Sequence, residues 1–380
     1  MPATRLILVG GFLGSGKTTL LAQAAQRLTG RGKRVGLLAN DQAADLVDTE
    51  LFRETGAPVE EVAGGCFCCR FPDMLAALER LVEQGRSDVL LGEPVGSCTD
   101  LSATVMQPIK KLHSSRFRLA PFTVMVDGNQ VRVLDRLRRA AAEGTPGRFP
   151  DNVLYIYQKQ LEEADVIALN KIDLLPPEEL GQLRDWLAGQ LPGTPIFGLS
   201  ARDGSGVDAW LDFVLQDLPA GQKITEVDYD TYAAGEAALG WMNARLALHA
   251  RPDTDWHAFA GDFLDAVRTA LRAEPAEIAH LKLYLTAAGG GHVVGNVTSN
   301  QGEVSVRGHF DPDHSDVNLL VNARVHIQPD RLRAIIENAL QAVAAGAQIT
   351  TEIRQVRSFF PGRPQPTHRF SAVEPAPGGG

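Results

Sequence analysis

The sequence predicts an α/β fold, a mostly parallel sheet flanked by helices, followed by a small α+β domain. Two observations carry this. Short apolar runs alternate with amphipathic stretches throughout the first half, the pattern of a parallel sheet covered on both faces. Beyond a polar connection around 222–231 the pattern changes to longer strand-like runs interrupted by two helical segments. At 380 residues the chain exceeds the usual size of one domain, which favours two.

In order, 5–9 reads as a strand, 16–29 as a helix, 34–39 and 59–63 as strands, 73–83 as a helix and 89–91 as a strand. Strands at 122–126, 166–169 and 196–199 follow, with helices at 177–191, opened by proline, and at 207–218. The first domain is therefore expected over 1–221. The second, 222–360, reads as strand 240–249, helix 254–272, strands 280–286, 292–298 and 317–327, helix 329–344 and strand 349–356. Apart from one extra strand, that order approximates a split βαβ arrangement. The remainder, 361–380, is rich in Pro and Gly without apolar periodicity, and is expected to be disordered.

Hydrophobic residues at 44% and charged residues at 22% exclude a collagen-like or wholly disordered chain. No run of 18 uncharged apolar residues occurs, and the opening residues pass into a glycine-rich loop without a signal-peptide cleavage pattern. A cytoplasmic protein is expected, with no membrane partner. A formal charge of −9 and the lack of a long basic cluster disfavour nucleic acid as the main partner. Cys66, Cys68 and Cys69 crowd together while Cys98 stands apart, which no disulfide framework requires and which points to metal.

The segment Gly11-Phe-Leu-Gly14-Ser15-Gly16-Lys17-Thr18-Thr19 matches the phosphate-binding P-loop, placed between an apolar strand and a helix as that motif demands. Its glycines let backbone N–H groups converge on phosphates at a helix N-terminus. Lys17 adds positive charge at the β/γ oxygens and Thr18 offers a hydroxyl to Mg²⁺. Asn170-Lys171-Ile-Asp173 follows a strand at the nucleotide edge of such a sheet. The Asp173 carboxylate can accept from two donors of guanine, a pair that adenine lacks, so GTP is expected over ATP. Ser200-Ala201, after the next strand, resembles the loop that brings a backbone N–H to guanine O6 in GTPases.

Glu93-Pro-Val-Gly96 ends a strand and has the form of a switch that senses the γ-phosphate, with Glu93 holding Mg²⁺ through water and Gly96 donating its N–H. Ser97 follows where a water-orienting glutamine would stand, and slow intrinsic hydrolysis is expected. Gly64-Gly65-Cys66-Phe67-Cys68-Cys69 lies between a strand and a helix. Three thiolates at this spacing can converge on one soft or borderline cation, Zn²⁺ or Co²⁺. The fourth position falls to Asp41 or Cys98, and either could instead belong to Mg²⁺. A redox-reactive cluster or inert buried thiols are the plainer readings. His309 and His314 have a spacing that defines no helical face and read as residues of a polar loop, and Trp241 and Trp256 as core.

In combination, GFLGSGKTT, GGCFCC, ExxG, NKID and SA in that order resemble the CobW-type family of P-loop GTPases, related to the nickel-insertion GTPases of urease and hydrogenase. The resemblance covers about residues 4 to 218, and Cys-x-Cys-Cys is its specific feature. It implies GTP hydrolysis coupled to delivery of zinc or cobalt to a client metalloprotein whose identity stays open, as does homo-oligomerisation. The histidine-rich tract of some members is missing, which disfavours metal storage. The alternative is a GTP-dependent remodelling switch for a metalloenzyme or cobalamin enzyme that carries no stoichiometric metal.

Overall fold

The structure, a computed structural model, describes residues 3–44, 46–128, 149–287, 290–310 and 314–375. The chain divides into two units, Met1–Gln42 with Leu51–Ala233 and Arg363–Gly380, and Ala43–Glu50 with Ala234–Gly362.

The first unit holds strands β1 (Thr4–Gly10), β2 (Val35–Asp41), β3 (Val59–Ala63), β4 (Val89–Gly92), β5 (Phe117–Leu119), β6 (Thr123–Asp127), β7 (Val166–Asn170) and β8 (Ile196–Gly198). Their order is β3-β2-β4-β1-β6-β7-β8, with β5 beside β1, and every pairing is parallel. Strands β2, β4, β6 and β7 are buried along their full length, as expected of a sheet covered on both faces. The helix Lys17–Gly30 buries Leu20, Leu21, Ala24, Ala25 and Leu28, one stripe at helical spacing. Each fully buried leucine contributes about 1.5–3 kcal/mol.

Parallel pairing sends the carboxyl end of every strand to one edge of the sheet. The register aligns Asp41 with Ala63, Leu8 with Gly92 and Asp127 with Asn170, so the loops that follow these strands open on that edge. The sequence did not announce the helix Asp151–Glu162 or the turn at Ser102–Met106, which winds as a π-helix just before Pro108. A proline lacks the N–H of a regular helical ladder, and the wider turn accommodates the break.

The second unit is a six-stranded antiparallel sheet of β9 (Gly240–His249), β10 (Glu277–Ala287), β11 (Gly291–Val297), β12 (Ser305–Phe310), β13 (Asp316–His326) and β14 (Thr350–Phe359). Its order is β12-β11-β10-β13-β9-β14. Helices Trp256–Arg272 and Pro329–Gly346 supply Phe259, Phe263, Leu264, Leu332 and Ile336 to one apolar core with the sheet. The first helix is capped by Asp255, whose carboxylate accepts from the Ala258 N–H at 2.9 Å. Trp241 and Trp256 are buried.

Three expectations are corrected. First, the sheet has one strand more: β12 contains His309, which pairs with His292 rather than lying in a loop. Its solvent-facing side chains and Gly308, at φ 84°, gave no apolar alternation to read. Second, the first unit continues to Ala233, and Ala43–Glu50 joins the second. There the Val47 N–H donates to Asn322 Oδ1 at 2.9 Å and Lys282 pairs with Asp48 at 2.5 Å. Third, the tail is ordered against the first unit as far as it is described. Thr367 N–H donates to Cys68 O at 2.9 Å and Phe370 N–H to Ala103 O at 3.0 Å. Such a segment satisfies its backbone polar groups one by one, a contact that leaves no periodic trace in composition. Among the described residues no helix is long and apolar enough to cross a membrane.

Candidate functional site

The loop after β1 turns through Gly11 at φ 128° and Gly16 at φ 102°. A Cβ at Gly11 would lie 2.2 Å from Met125 O, and one at Gly16 2.4 Å from Asn170 Nδ2, so neither place admits a side chain. The helix begins at Lys17, so the loop presents its N–H groups at a helix N-terminus. Lys17 is buried; its Nζ donates to Gly11 O at 2.9 Å and stands 3.9 Å from Glu93 Oε1. Thr18 Oγ1 donates to the same carboxylate oxygen at 3.1 Å. A hydroxyl and a carboxylate meeting beside a phosphate loop form the hard oxygen set that suits Mg²⁺.

Asn170, the last residue of β7, braces two loops. Its Nδ2 donates to Ser15 O at 2.7 Å and its Oδ1 accepts from the Ala201 N–H at 2.9 Å. Ser200 closes its own turn, accepting at its carbonyl from the Gly204 N–H at 2.8 Å. Lys171 adopts φ 62° and pairs with Asp127 at 2.5 Å. Asp127 was missed in the sequence; its signal is its place as the last residue of β6, at the nucleotide edge. Asp173 lies exposed on the short turn Ile172–Leu174.

The cysteine loop is held from β2. Asn40 Nδ2 donates to Val62 O at 2.8 Å and Gly65 O at 2.7 Å, and its Oδ1 accepts from the Phe67 N–H at 2.9 Å. The Cys66 carbonyl accepts from the N–H groups of Cys69 and Arg70, which curls the chain and gathers the thiols. Sγ separations are 2.8 Å for Cys66–Cys68, 3.3 Å for Cys66–Cys69 and 3.8 Å for Cys68–Cys69. A tetrahedral site with Zn–S of about 2.3 Å has sulfurs about 3.8 Å apart, so an ion would spread mainly the first two. Hydrogen bonds from Cys68, then Cys69 and Cys98, hold the Cys66 thiol well below its usual range. The same bonds push Cys68 up and, with Cys66 as the main cause, raise Cys69 to about 11.

Cys98 contacts Cys66 and Cys68 but lies outside the group whose ligand atoms are all within 4.8 Å, and so does Asp41, buried at the end of β2. The loop carrying Cys98 begins at Glu93 and is pinned along its length. Gln160 Nε2 donates to Gly96 O at 2.9 Å and Cys98 O at 2.8 Å. Glu163 accepts from Thr99 Oγ1 at 3.2 Å and the Ser102 N–H at 2.9 Å, and burial pushes its carboxyl up to about 8. Gln160 and Glu163 were also missed, because they sit on or just beyond the unforeseen helix Asp151–Glu162.

A parallel α/β sheet with a P-loop at its carboxyl edge defines a nucleotide-binding protein of the P-loop class. The family model described as CobW/HypB/UreG, nucleotide-binding domain, matches residues 5–197, and the chain belongs to this family. It is 31% identical to the zinc chaperone YeiR of Escherichia coli (strain K12) over 48% of this chain and 51% of that protein. It is 28% identical to the zinc chaperone CobW of Sinorhizobium sp over 54% and 60%, respectively. With the zinc-regulated GTPase metalloprotein activator 1 of Dictyostelium discoideum the identity is 26%, over 46% and 41%. The chain thus spans about half the length of the curated relatives it matches.

Proposed function

We propose that the protein is a cytoplasmic GTPase that carries Zn²⁺ or Co²⁺ on Cys66, Cys68 and Cys69 and delivers it to a client metalloprotein. The observation that carries this reading is one loop with two engagements. At its start Glu93 is bonded to Thr18 of the phosphate loop, and further along Cys98 contacts Cys66 and Cys68. A change at the nucleotide can therefore alter the number or placement of sulfur ligands. The names of the relatives, zinc chaperone and zinc-regulated GTPase, support the choice of cargo.

In this reading the N–H groups of Gly14, Ser15, Gly16, Lys17 and Thr18 orient the phosphates, and Lys17 exchanges its carbonyl partners for the β/γ oxygens. Thr18 and Glu93 hold Mg²⁺, which when bound neutralises charge on the phosphate oxygens. Gly96 meets the γ-phosphate, and Asp173 with the Ala201 N–H selects guanine. Ser97 follows Gly96 with no glutamine to orient water, so intrinsic turnover is slow. Calorimetric titration of GTP and of Zn²⁺, each with and without the other, tests the coupling. Lys17→Ala should weaken GTP binding by at least about a hundredfold, because it removes the charge that would meet the β/γ oxygens, with circular dichroism checking that the fold is kept. Metal bound equally well after replacement of Cys66, Cys68 and Cys69 by serine, with no mutual effect of GTP and metal, would instead favour a remodelling switch that carries no metal.

A further inference from the structure

We infer that residues 363–374 are a strap that positions the Cys69 ligand and ties it to the nucleotide-sensing loop through Arg369 and Asp100; the inference rests on the metal-carrier reading. The strap first crosses the cysteine loop. The Gln365 N–H donates to Cys69 Sγ at 3.1 Å, Thr367 N–H to Cys68 O at 2.9 Å and Thr367 Oγ1 to Cys69 O at 3.3 Å. The His368 ring meets Phe71 edge-on, 5.1 Å between centroids. Of the three thiols, Cys69 is the one not fully buried, so the strap meets the cluster on its open side.

The strap then reaches the sensing loop. Arg369 Nε donates to Asp100 Oδ2 at 2.7 Å and its Nη2 to Thr225 O at 2.9 Å, while the Tyr229 hydroxyl donates to the same carboxylate oxygen at 2.7 Å. Asp100 is 1% exposed and stands at φ 63°, a left-handed backbone that a residue with a side chain keeps only when its surroundings fix it. Past this point Glu374 anchors the strap, its N–H on Gln107 Oε1 at 2.8 Å and its carboxylate on Lys111 at 2.8 Å.

Two physical consequences follow. An N–H pointed at a sulfur stabilises the negative charge that the sulfur carries as a ligand, so the strap supports metal binding from outside the ligand set. Asp100 lies two residues beyond Cys98 on the loop that starts at Glu93, so movement of that loop reaches the cluster by two routes, through Cys98 and through Arg369 to Gln365. The strap is held by separate polar contacts and carries Pro364 and Pro366 on either side of Gln365, which lower the entropy cost of redocking; it is an element that can lift without unfolding its support.

The test uses the full chain and two readouts. Gln365→Pro deletes one N–H between two prolines that already impose extended backbone; it should weaken Co²⁺ binding, followed by absorption at fixed pH, by about tenfold. Arg369→Ala cuts the tie, and in metal-free protein should raise the iodoacetamide labelling rate of Cys69, resolved by peptide mass spectrometry, by about tenfold. A non-hydrolysable GTP analogue should change that rate in the parent chain, several-fold less in Arg369→Ala, where only the Cys98 route is left, and in part again in Arg369→Lys. Unchanged Cys69 labelling in Arg369→Ala, or a full nucleotide response there, overturns the strap. A parent chain that binds no Co²⁺ while Arg369→Ala still alters labelling overturns the carrier reading alone.

Discussion

The side-chain amide of Asn170 donates to the carbonyl of Ser15 at 2.7 Å, so the residue that opens the Asn-Lys-Ile-Asp segment is fastened to the phosphate loop. Its oxygen holds the Ala201 N–H as well. Asn170→Ala leaves both loop groups without their partner in a buried place, a loss of about 1–3 kcal/mol for each. We expect a lower thermal midpoint together with a GTP affinity reduced by at least about tenfold, read by differential scanning and fluorescence titration.

Asp173 is exposed on its turn, away from the core. Asp173→Asn should leave the thermal midpoint unchanged, weaken GTP and favour xanthosine triphosphate, whose extra carbonyl accepts from an amide. Competition assays check this, and ATP displacing bound GTP as well as GTP does would exclude guanine reading by Asp173.

Metal uptake should release protons. Cys66 is held low, whereas Cys68 is pushed up and Cys69 raised to about 11, so at neutral pH those two must lose a proton to become ligands. Each proton released makes affinity rise about tenfold per pH unit below the pKa of the thiol that gives it up. Titrations in buffers of different ionisation enthalpy count the protons. Cys98→Ser should weaken Co²⁺ binding and change the absorption of the complex if the loop supplies a fourth sulfur, and leave both alone otherwise.

Glu163 gives stability a slope with pH. Its carboxyl is raised from 4.5 to about 8 in the folded chain, so the fold binds a proton that the unfolded chain has lost between those values. Its contribution is present below about 4.5 and is lost as pH rises through about 8. Glu163→Gln keeps an acceptor for the Ser102 N–H and lets its amide donate to Thr99 Oγ1, and should flatten the fall of stability between pH 6 and 8, about 1.4 kcal/mol per pH unit, read from the thermal midpoint.

What could be read in advance divides by the range of the interaction. The P-loop, Asn170-Lys171-Ile-Asp173 and the cysteine run are local patterns, and the strand ends that carry them follow from apolar runs. Asn40, Gln160 and Glu163 act across 27, 64 and 61 residues of sequence, on Phe67, Gly96 and Ser102, and no local pattern marks such a partner. The tail failed for a related reason. Pro-rich composition describes a segment that cannot build its own core, and here the other partner is a finished surface.

The path of the chain sets an order in time. The first unit is interrupted after Gln42 and takes up its last piece only after the whole second unit has been made, since Arg363 follows Gly362. A ribosome therefore delivers the thiols long before the segment that covers Cys69, and the Asp100 carboxylate long before Arg369. During that interval a nascent chain presents a bare three-sulfur loop to whatever ions and oxidants the compartment holds. Closure of the loop from outside thus waits until the second unit has been synthesised, and any metal acquired earlier would enter a site that is still open.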